Sequence, residues 1–314
     1  MAKKIKMEKV SEKSIIDIYT EYLTSQTARD LSESTIRNYK THFKGISKHL
    51  DTEMAFSSLT KRDLEEMVVS MKESDLAHNS ISTYVRAMNQ FLRWCVEEGM
   101  CSSSLFLENI KEQETVKGEY TDEELLLLIR KPRKDCDFCE YRNWVIVNLL
   151  LNNGCRAASI RNIQNRDVDL KRKQIVLRHN KNKKIQVLPL CTQMVSILSD
   201  YMRIRKGTSE EYLFCNQFGD KLSESALRQA IAKYNERRGV YKTSTHLYRH
   251  TFSRKYLVDC GGNAFTLQKL LGHSTLAMTK RYCRLYDKDL AENFDSFSPL
   301  SQIKAEEKKA IKKR

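Results

Sequence analysis

Hydrophobic periodicity constrains this chain more than any other feature. Over residues 13–97 apolar side chains return every three or four positions in four successive stretches, and each stretch opens on polar, cap-forming residues. Ile15, Ile16, Ile18, Tyr19, Tyr22 and Leu23 form the first stripe. Ser32-Glu33-Ser34-Thr35 opens the second, which runs through Ile36, Tyr39, Phe43, Ile46 and Leu50. Thr60 to Met71 gives the third, with Thr60 as N-cap and Asp63 three residues on. His78-Asn79-Ser80 opens the fourth, carrying Ile81, Tyr84, Val85, Met88, Phe91, Leu92 and Cys95 up to Glu98-Gly99. Residues 11–100 are therefore expected to form a helical domain.

From Cys101 to Gly118 the periodicity fades, so 101–118 reads as a linker. A second domain over 119–300 starts at the capping box Thr121-Asp-Glu-Glu. A helix from about 140 to 153 follows, ended by Gly154. Gln174-Ile-Val-Leu and Lys184-Ile-Gln-Val-Leu alternate about an Asn/Lys turn, the one clear hairpin in the sequence. After Pro189 helices are expected at about 192–206, 223–238, 247–260, 264–271 and 275–285. Residues 301–314 read as a basic tail, a frayed helix or disordered. The chain is thus expected to be mainly α with a small β-hairpin.

The 314 residues carry 55 Lys and Arg against 40 Asp and Glu, a net charge of +15 that suits a polyanionic partner. Nine cysteines at irregular spacing do not describe a disulfide framework and fit a reducing cytoplasm. Cys136-Asp-Phe-Cys139 has the spacing of half a zinc site, but no second pair follows, and no metal is expected. No apolar run approaches the roughly 20 residues of a membrane span. The polar, basic start has no apolar region behind it, so no secretory signal is expected.

Five segments of the second domain supply phosphate-seeking residues. In Asn153-Gly154-Cys155-Arg156 an arginine just past a Gly-terminated helix can present its planar fork to phosphate oxygens. The turn His179-Asn180-Lys181-Asn182-Lys183-Lys184 holds lysines that are either solvated or able to reach a DNA backbone as proton donors. His246-Leu247-Tyr248-Arg249-His250 puts residues 246, 249 and 250 on one face at the start of a helix. There the free amides favour an anion. His273 sits at a Gly turn in Leu270-Leu271-Gly272-His273-Ser274. Tyr282 follows nine residues later in Met278-Thr279-Lys280-Arg281-Tyr282. Each alone is more simply a structural or surface residue.

Taken together, Arg, Lys, His-x-x-Arg, Gly-His and Tyr in this order resemble the tyrosine recombinase (phage integrase) family. Lys181 lies eight residues before Pro189, and Leu270 to Tyr282 is similar to the family's Leu-Gly-His-Ser…Thr-x-x-Tyr pattern without gaps. The likeness covers nearly the whole chain. It implies a helical SAM-like core-binding domain over 11–100 and a mixed α/β catalytic domain over 119–300, closing as a clamp around DNA. Two positions depart from the pattern: Ser159 stands where the family usually has Glu, and Tyr248 where it usually has Leu.

The resemblance implies a site-specific recombinase with catalytic Arg156, Lys181, His246, Arg249, His273 and the nucleophile Tyr282. A phenol has a pKa of about 10, so its ionisation at pH 7 costs about 4 kcal/mol unless cations or a base assist. His246 is the candidate base. Arg156, Arg249 and His273 would hold the nonbridging oxygens, and Lys181 would protonate the departing 5′ oxygen. No cofactor is implied. Thr35, Arg37, Lys40, Ser82, Arg86 and Arg93, on polar helix faces, and Lys183 are the expected DNA contacts. The implied partners are double-stranded DNA and three further copies, a homotetramer on two duplexes, with an accessory DNA-bending or directionality factor compatible. The end of the chain, Asp289-Leu290…Asn293-Phe294-Asp295…Ser298-Pro299-Leu300, looks like those of mobile-element integrases. Residues 286–300 are expected to pack on a neighbouring protomer or on their own domain. A topoisomerase-like relaxing enzyme and a catalytically idle DNA-binding regulator remain the alternatives.

Overall fold

The computed structural model describes residues 13–111, 113, 118–178 and 185–283, with backbone alone for Arg281 and Cys283. The chain divides into two compact units, Met1–Val116 and Lys117–Arg314. The expectations for the turn carrying Lys181 and Lys183, for 286–300 and for the basic tail lie outside the described residues.

The first unit holds α1 (Ile15–Ala28), α2 (Glu33–Ile46), α3 (Lys61–Glu73) and α4 (His78–Glu97). Ser14 and Thr60 close capping boxes with Asp17 and Asp63, and Ser32 caps α2. Each cap satisfies an N–H that a helix start leaves without a partner. The apolar stripes meet in an aromatic core, in which Tyr19 stacks on Phe43 at 3.7 Å and meets Phe91 at 5.0 Å. At the crossing of α2 and α4, a side chain on Gly45 would come within 2.5 Å of the Tyr84 ring. A side chain there would have to displace the Tyr84 ring.

Beyond α4 the stretch expected as a linker is strapped to that helix. Asn89 donates to the Leu107 carbonyl at 2.8 Å and accepts from the Leu107 amide at 2.9 Å. The Ser82 hydroxyl donates to the Ile110 carbonyl at 2.9 Å, and Asn79 makes the same pair of bonds with the Gln113 backbone. This corrects one expected DNA contact. Ser82 is buried, and its hydroxyl is engaged by the protein's own backbone. Arg37, Lys40, Arg86 and Arg93 are exposed and Thr35 is half-buried.

The second unit holds α5 (Asp122–Ile129), α6 (Phe138–Asn153), α7 (Ala157–Ile160), α8 (Thr192–Arg205), α9 (Glu224–Arg237), α10 (Thr245–Leu257), α11 (Ala264–Leu271) and α12 (Leu276–Cys283). Between α7 and α8 lies a sheet of β1 (Val168–Asp169), β2 (Gln174–Leu177) and β3 (Gln186–Pro189), all antiparallel in that order. The hairpin is present as expected, and β1 adds a strand too short for periodicity to show. Its register pairs Ile175 with Leu188 and Leu177 with Gln186, which turns Ile175, Leu177 and Leu188 into the core. Helix α6 is buried on nearly every side through Trp144, Val145, Ile146, Val147, Leu149 and Leu150, and α5, α8, α9 and α10 pack around it. Among the described residues no helix is long and apolar enough to cross a membrane.

Tyr248, where the resembled pattern has Leu, is fully buried in this core. Its hydroxyl donates to Asn235 Oδ1 at 2.7 Å, and Asn235 Nδ2 donates to the Tyr120 oxygen at 2.9 Å. Tyr120 in turn donates to the Lys242 carbonyl at 2.9 Å. The additional polar group is thereby satisfied, as a buried hydroxyl must be.

Candidate active site

Three corners of the second unit converge, and each is built by a local backbone device. At the first, α6 ends on Gly154 in the left-handed region, φ +59°. A Cβ there would lie 2.3 Å from Phe252 Cδ1, so strain and crowding both demand glycine. Arg156 follows as the extended N-cap residue of α7 and is half-buried. The corner is fastened from behind, where Asn153 donates to the Pro189 carbonyl at 2.7 Å. Asn152 accepts from the Cys191 amide at 3.1 Å.

The second corner is α10, which projects Arg249 inward until it is 6% exposed. Its guanidinium donates to the Gly154 carbonyl at 2.9 Å and to the Leu271 carbonyl at 2.9 Å. It also meets His273 Nε2 at 2.8 Å. The third corner follows α11, where Gly272 is the left-handed cap and His273 comes next. His273 Nδ1 lies 2.9 Å from the hydroxyl of Thr279, which is fully buried on α12. Tyr282, one helical turn further along α12, is 9% exposed and packs against Leu267, Leu271, Phe252 and Tyr256. Its ring lies 6.3 Å from the His273 ring, nearly parallel, and 5.3 Å from the His250 ring.

The hairpin is tied into the same place. Gln186, the first residue of β3, donates to the Lys269 and Leu270 carbonyls at 2.7 and 2.8 Å. Strand β3 is therefore fixed beside the Gly272–His273 corner and, through Pro189, beside the corner that leads to Arg156.

The electrostatics of the site are one-sided. Burial, followed by repulsion from Arg156, pushes the Arg249 guanidinium down to about 10, with Tyr282 acting in the opposite direction. Burial also lowers the Arg156 guanidinium, again against the influence of Tyr282. Both remain cationic at neutral pH. Among the described residues neither has a carboxylate within ion-pair distance, and no three His, Cys, Asp or Glu side chains gather as metal ligands. Two cations held close without a counter-ion favour an anion such as a phosphodiester.

Of the expected site residues, Arg156, Arg249, His273 and Tyr282 are brought together here. His246, at the start of α10, is exposed, and the imidazole of α10 that meets the Tyr282 ring is that of His250. Sequence spacing puts His250 on the right face but cannot show which histidine meets the tyrosine. Thr279 is a further site residue: the sequence places it in the Thr-x-x-Tyr pattern, three residues before Tyr282 and so on the same helix face, but gives it no role. Ser159 is buried in α7, its amide bonded to the Arg156 carbonyl at 2.9 Å.

This architecture defines a class: mostly helical two-unit proteins that hold a tyrosine beside paired arginines and histidines. The chain belongs to the phage integrase family, the tyrosine recombinases, enzymes of site-specific DNA recombination. The model of the phage integrase family matches residues 120–289, and that of the phage integrase N-terminal SAM-like domain matches residues 16–99. Tyrosine recombinase XerA of Pyrococcus furiosus is 27% identical over 290 residues, spanning 91% of this chain and 96% of that one. The fold is similar to that of the Tn1549 transposon integrase in complex with transposon right end DNA. That likeness has a TM-score of 0.72 and 16% identity, over 86% of this chain and 94% of the other. It is also similar to the lambda integrase tetramer bound to a Holliday junction, with a TM-score of 0.70 and 15% identity over 87% and 78%.

Proposed function

We propose that the protein exchanges strands between two specific DNA sites through a covalent bond between Tyr282 and a 3′ phosphate. The observation that carries this reading is the seating of Tyr282 among Arg156, Arg249, His250 and His273 of its own chain. The phenolic oxygen attacks phosphorus, its proton passing to a base for which His246 is the candidate. As the Tyr282–phosphate bond forms, the bond to the 5′ oxygen breaks, and Lys181 supplies the proton that makes it a hydroxyl. The two guanidinium groups neutralise the nonbridging oxygens as charge builds on them. Attack by a 5′-hydroxyl of another strand reverses the step. One phosphodiester replaces another, so no nucleotide is consumed.

Double-stranded DNA is the substrate, contacted by both units, with Thr35, Arg37, Lys40, Arg86, Arg93 and Lys183 as contacts. Strand exchange between two duplexes requires four active sites, and we read the working assembly as a homotetramer, which an accessory DNA-bending or directionality factor would suit. The lambda integrase tetramer on a Holliday junction supports this as a fold-level parallel. The likeness of Asp289 to Leu300 to mobile-element integrases supports integration as the role.

The test is covalent trapping. Wild type and Tyr282→Phe are incubated with nicked DNA from the sequence flanking the gene, in EDTA and without nucleotide. An adduct that survives denaturation is expected from the wild type alone. An adduct of equal yield from Tyr282→Phe would refute the assignment.

A further inference from the structure

Resting on that reading of the site, we propose that Thr279 is a positioning residue: its hydroxyl accepts from Nδ1–H, fixes the orientation of the His273 ring and so aims Nε2 at Arg249 and the phosphate. The argument begins with what each atom can do. A guanidinium has only donors, so at 2.8 Å from Arg249 the Nε2 atom of His273 must accept. The neutral ring then carries its hydrogen on Nδ1, and Nδ1–H must donate to the Thr279 hydroxyl at 2.9 Å. The bond made by one imidazole nitrogen decides the state of the other.

The placement gives this bond a consequence. Thr279 and Tyr282 occupy adjacent turns of α12, and Thr279 is fully buried. The helix that delivers the nucleophile therefore also delivers the acceptor that orients His273. Through His273 and Arg249 the chain continues to the Gly154 and Leu271 carbonyls, so seating α12 and aligning the arginine become one event. When a phosphate oxygen replaces the guanidinium at Nε2, the Thr279 bond to Nδ1–H persists. To donate to that oxygen the ring would gain a proton at Nε2 from solvent, and it need not turn over to do so.

The experiment compares Thr279→Val, which keeps the shape and removes the oxygen, with Thr279→Ser, which keeps the oxygen. Single-turnover cleavage of the nicked substrate is expected to fall about 10–100-fold in Thr279→Val, the range for losing a group that orients a functional imidazole. Thr279→Ser should stay within a few-fold, and DNA affinity should be unchanged in both. The decisive readout is nitrogen NMR of labelled histidine at about pH 8, where an ordinary imidazole is neutral, with His273→Gln identifying the resonance. Wild type and Thr279→Ser should show the Nδ1–H pattern at His273 as one sharp set of resonances, and Thr279→Val should shift or broaden that set as the ring loses its fixed orientation. An Nε2–H pattern in the wild type, or His273 resonances unchanged in Thr279→Val whatever its cleavage rate, would overturn the proposal. The NMR result does not depend on turnover. An inactive wild type with the expected tautomers would thus count against the functional reading and not against this one.

Discussion

The two units of the chain bury polar groups to different ends. In the first, the buried polar side chains are uncharged, Gln26, Thr52, Ser82 and Asn89 among them, and Ser82 and Asn89 hold down the protein's own backbone. Among the described residues, the second buries charged side chains as well: Asp167, and the guanidinium groups of Arg142 and Arg249. Arg142 donates to the Cys215 carbonyl and to Asn143, while Arg249 donates to two carbonyls and meets an imidazole. Neutral acceptors satisfy the N–H groups without cancelling the charge, which a carboxylate would do. Arg142 shows that a buried arginine of this kind is not in itself a site. What distinguishes Arg249 is a second cation, Arg156, close enough to repel it, together with a tyrosine beside both.

That contrast can be broken most sharply by treating the two arginines alike. Arg249→Lys loses the fork and should lower single-turnover cleavage about 10²–10³-fold. Arg142→Lys should leave cleavage by the folded protein unchanged and lower its stability by about 1–3 kcal/mol in denaturant titration. Equal losses of cleavage in two well-folded variants would erase the distinction.

Sulfate sharpens the same comparison with a smaller effect. The folded protein holds Arg249 below its ordinary value, so its charge is costly at every pH below about 10, and the cost fades as pH rises through that value. An anion that binds the cation offsets the cost. At ten times its dissociation constant sulfate should raise the melting temperature by about 2–4 °C from neutral pH to pH 9, and less above about 10. Arg156→Ala should reduce the shift.

The smallest expected effects lie in the first unit. Ser82→Ala should cost about 1 kcal/mol of stability and leave the salt dependence of DNA binding alone. Arg86→Ala should change stability by no more than about 0.5 kcal/mol and reduce the salt slope by about 1.

Most of the framework is legible in the sequence, because stripes and caps are local. Thr60 with Asp63, Thr121 with Glu124, and Gly154 each act within a few residues of themselves. So is the core of the site, since Arg156, Arg249, His273 and Tyr282 stand in an order that a known family shares. What escapes is of two kinds. Strand β1 and helix α7 span two and four residues, too few for periodicity to register. The strap from Leu107 to Gln113 escapes for a deeper reason. Asn79, Ser82 and Asn89 form a polar stripe on α4, and polarity does not say whether the partner is water, DNA or a stretch of backbone. The same ambiguity hides the facing of His250 and Tyr282, which only the packing of α10 against α12 decides.

The hairpin's anchorage also sets which kinds of inherited change the site can absorb. Leu177 pairs with Gln186, and eight residues, 178–185, separate them. Two residues inserted there would cost only about 0.2 kcal/mol of closure entropy. One residue deleted from β3 would instead exchange the faces of Val187 and Leu188 and release the Gln186 clamp. Insertions and deletions can thus accumulate in 178–185, the segment that includes Lys181, while the strands that flank it must keep their length.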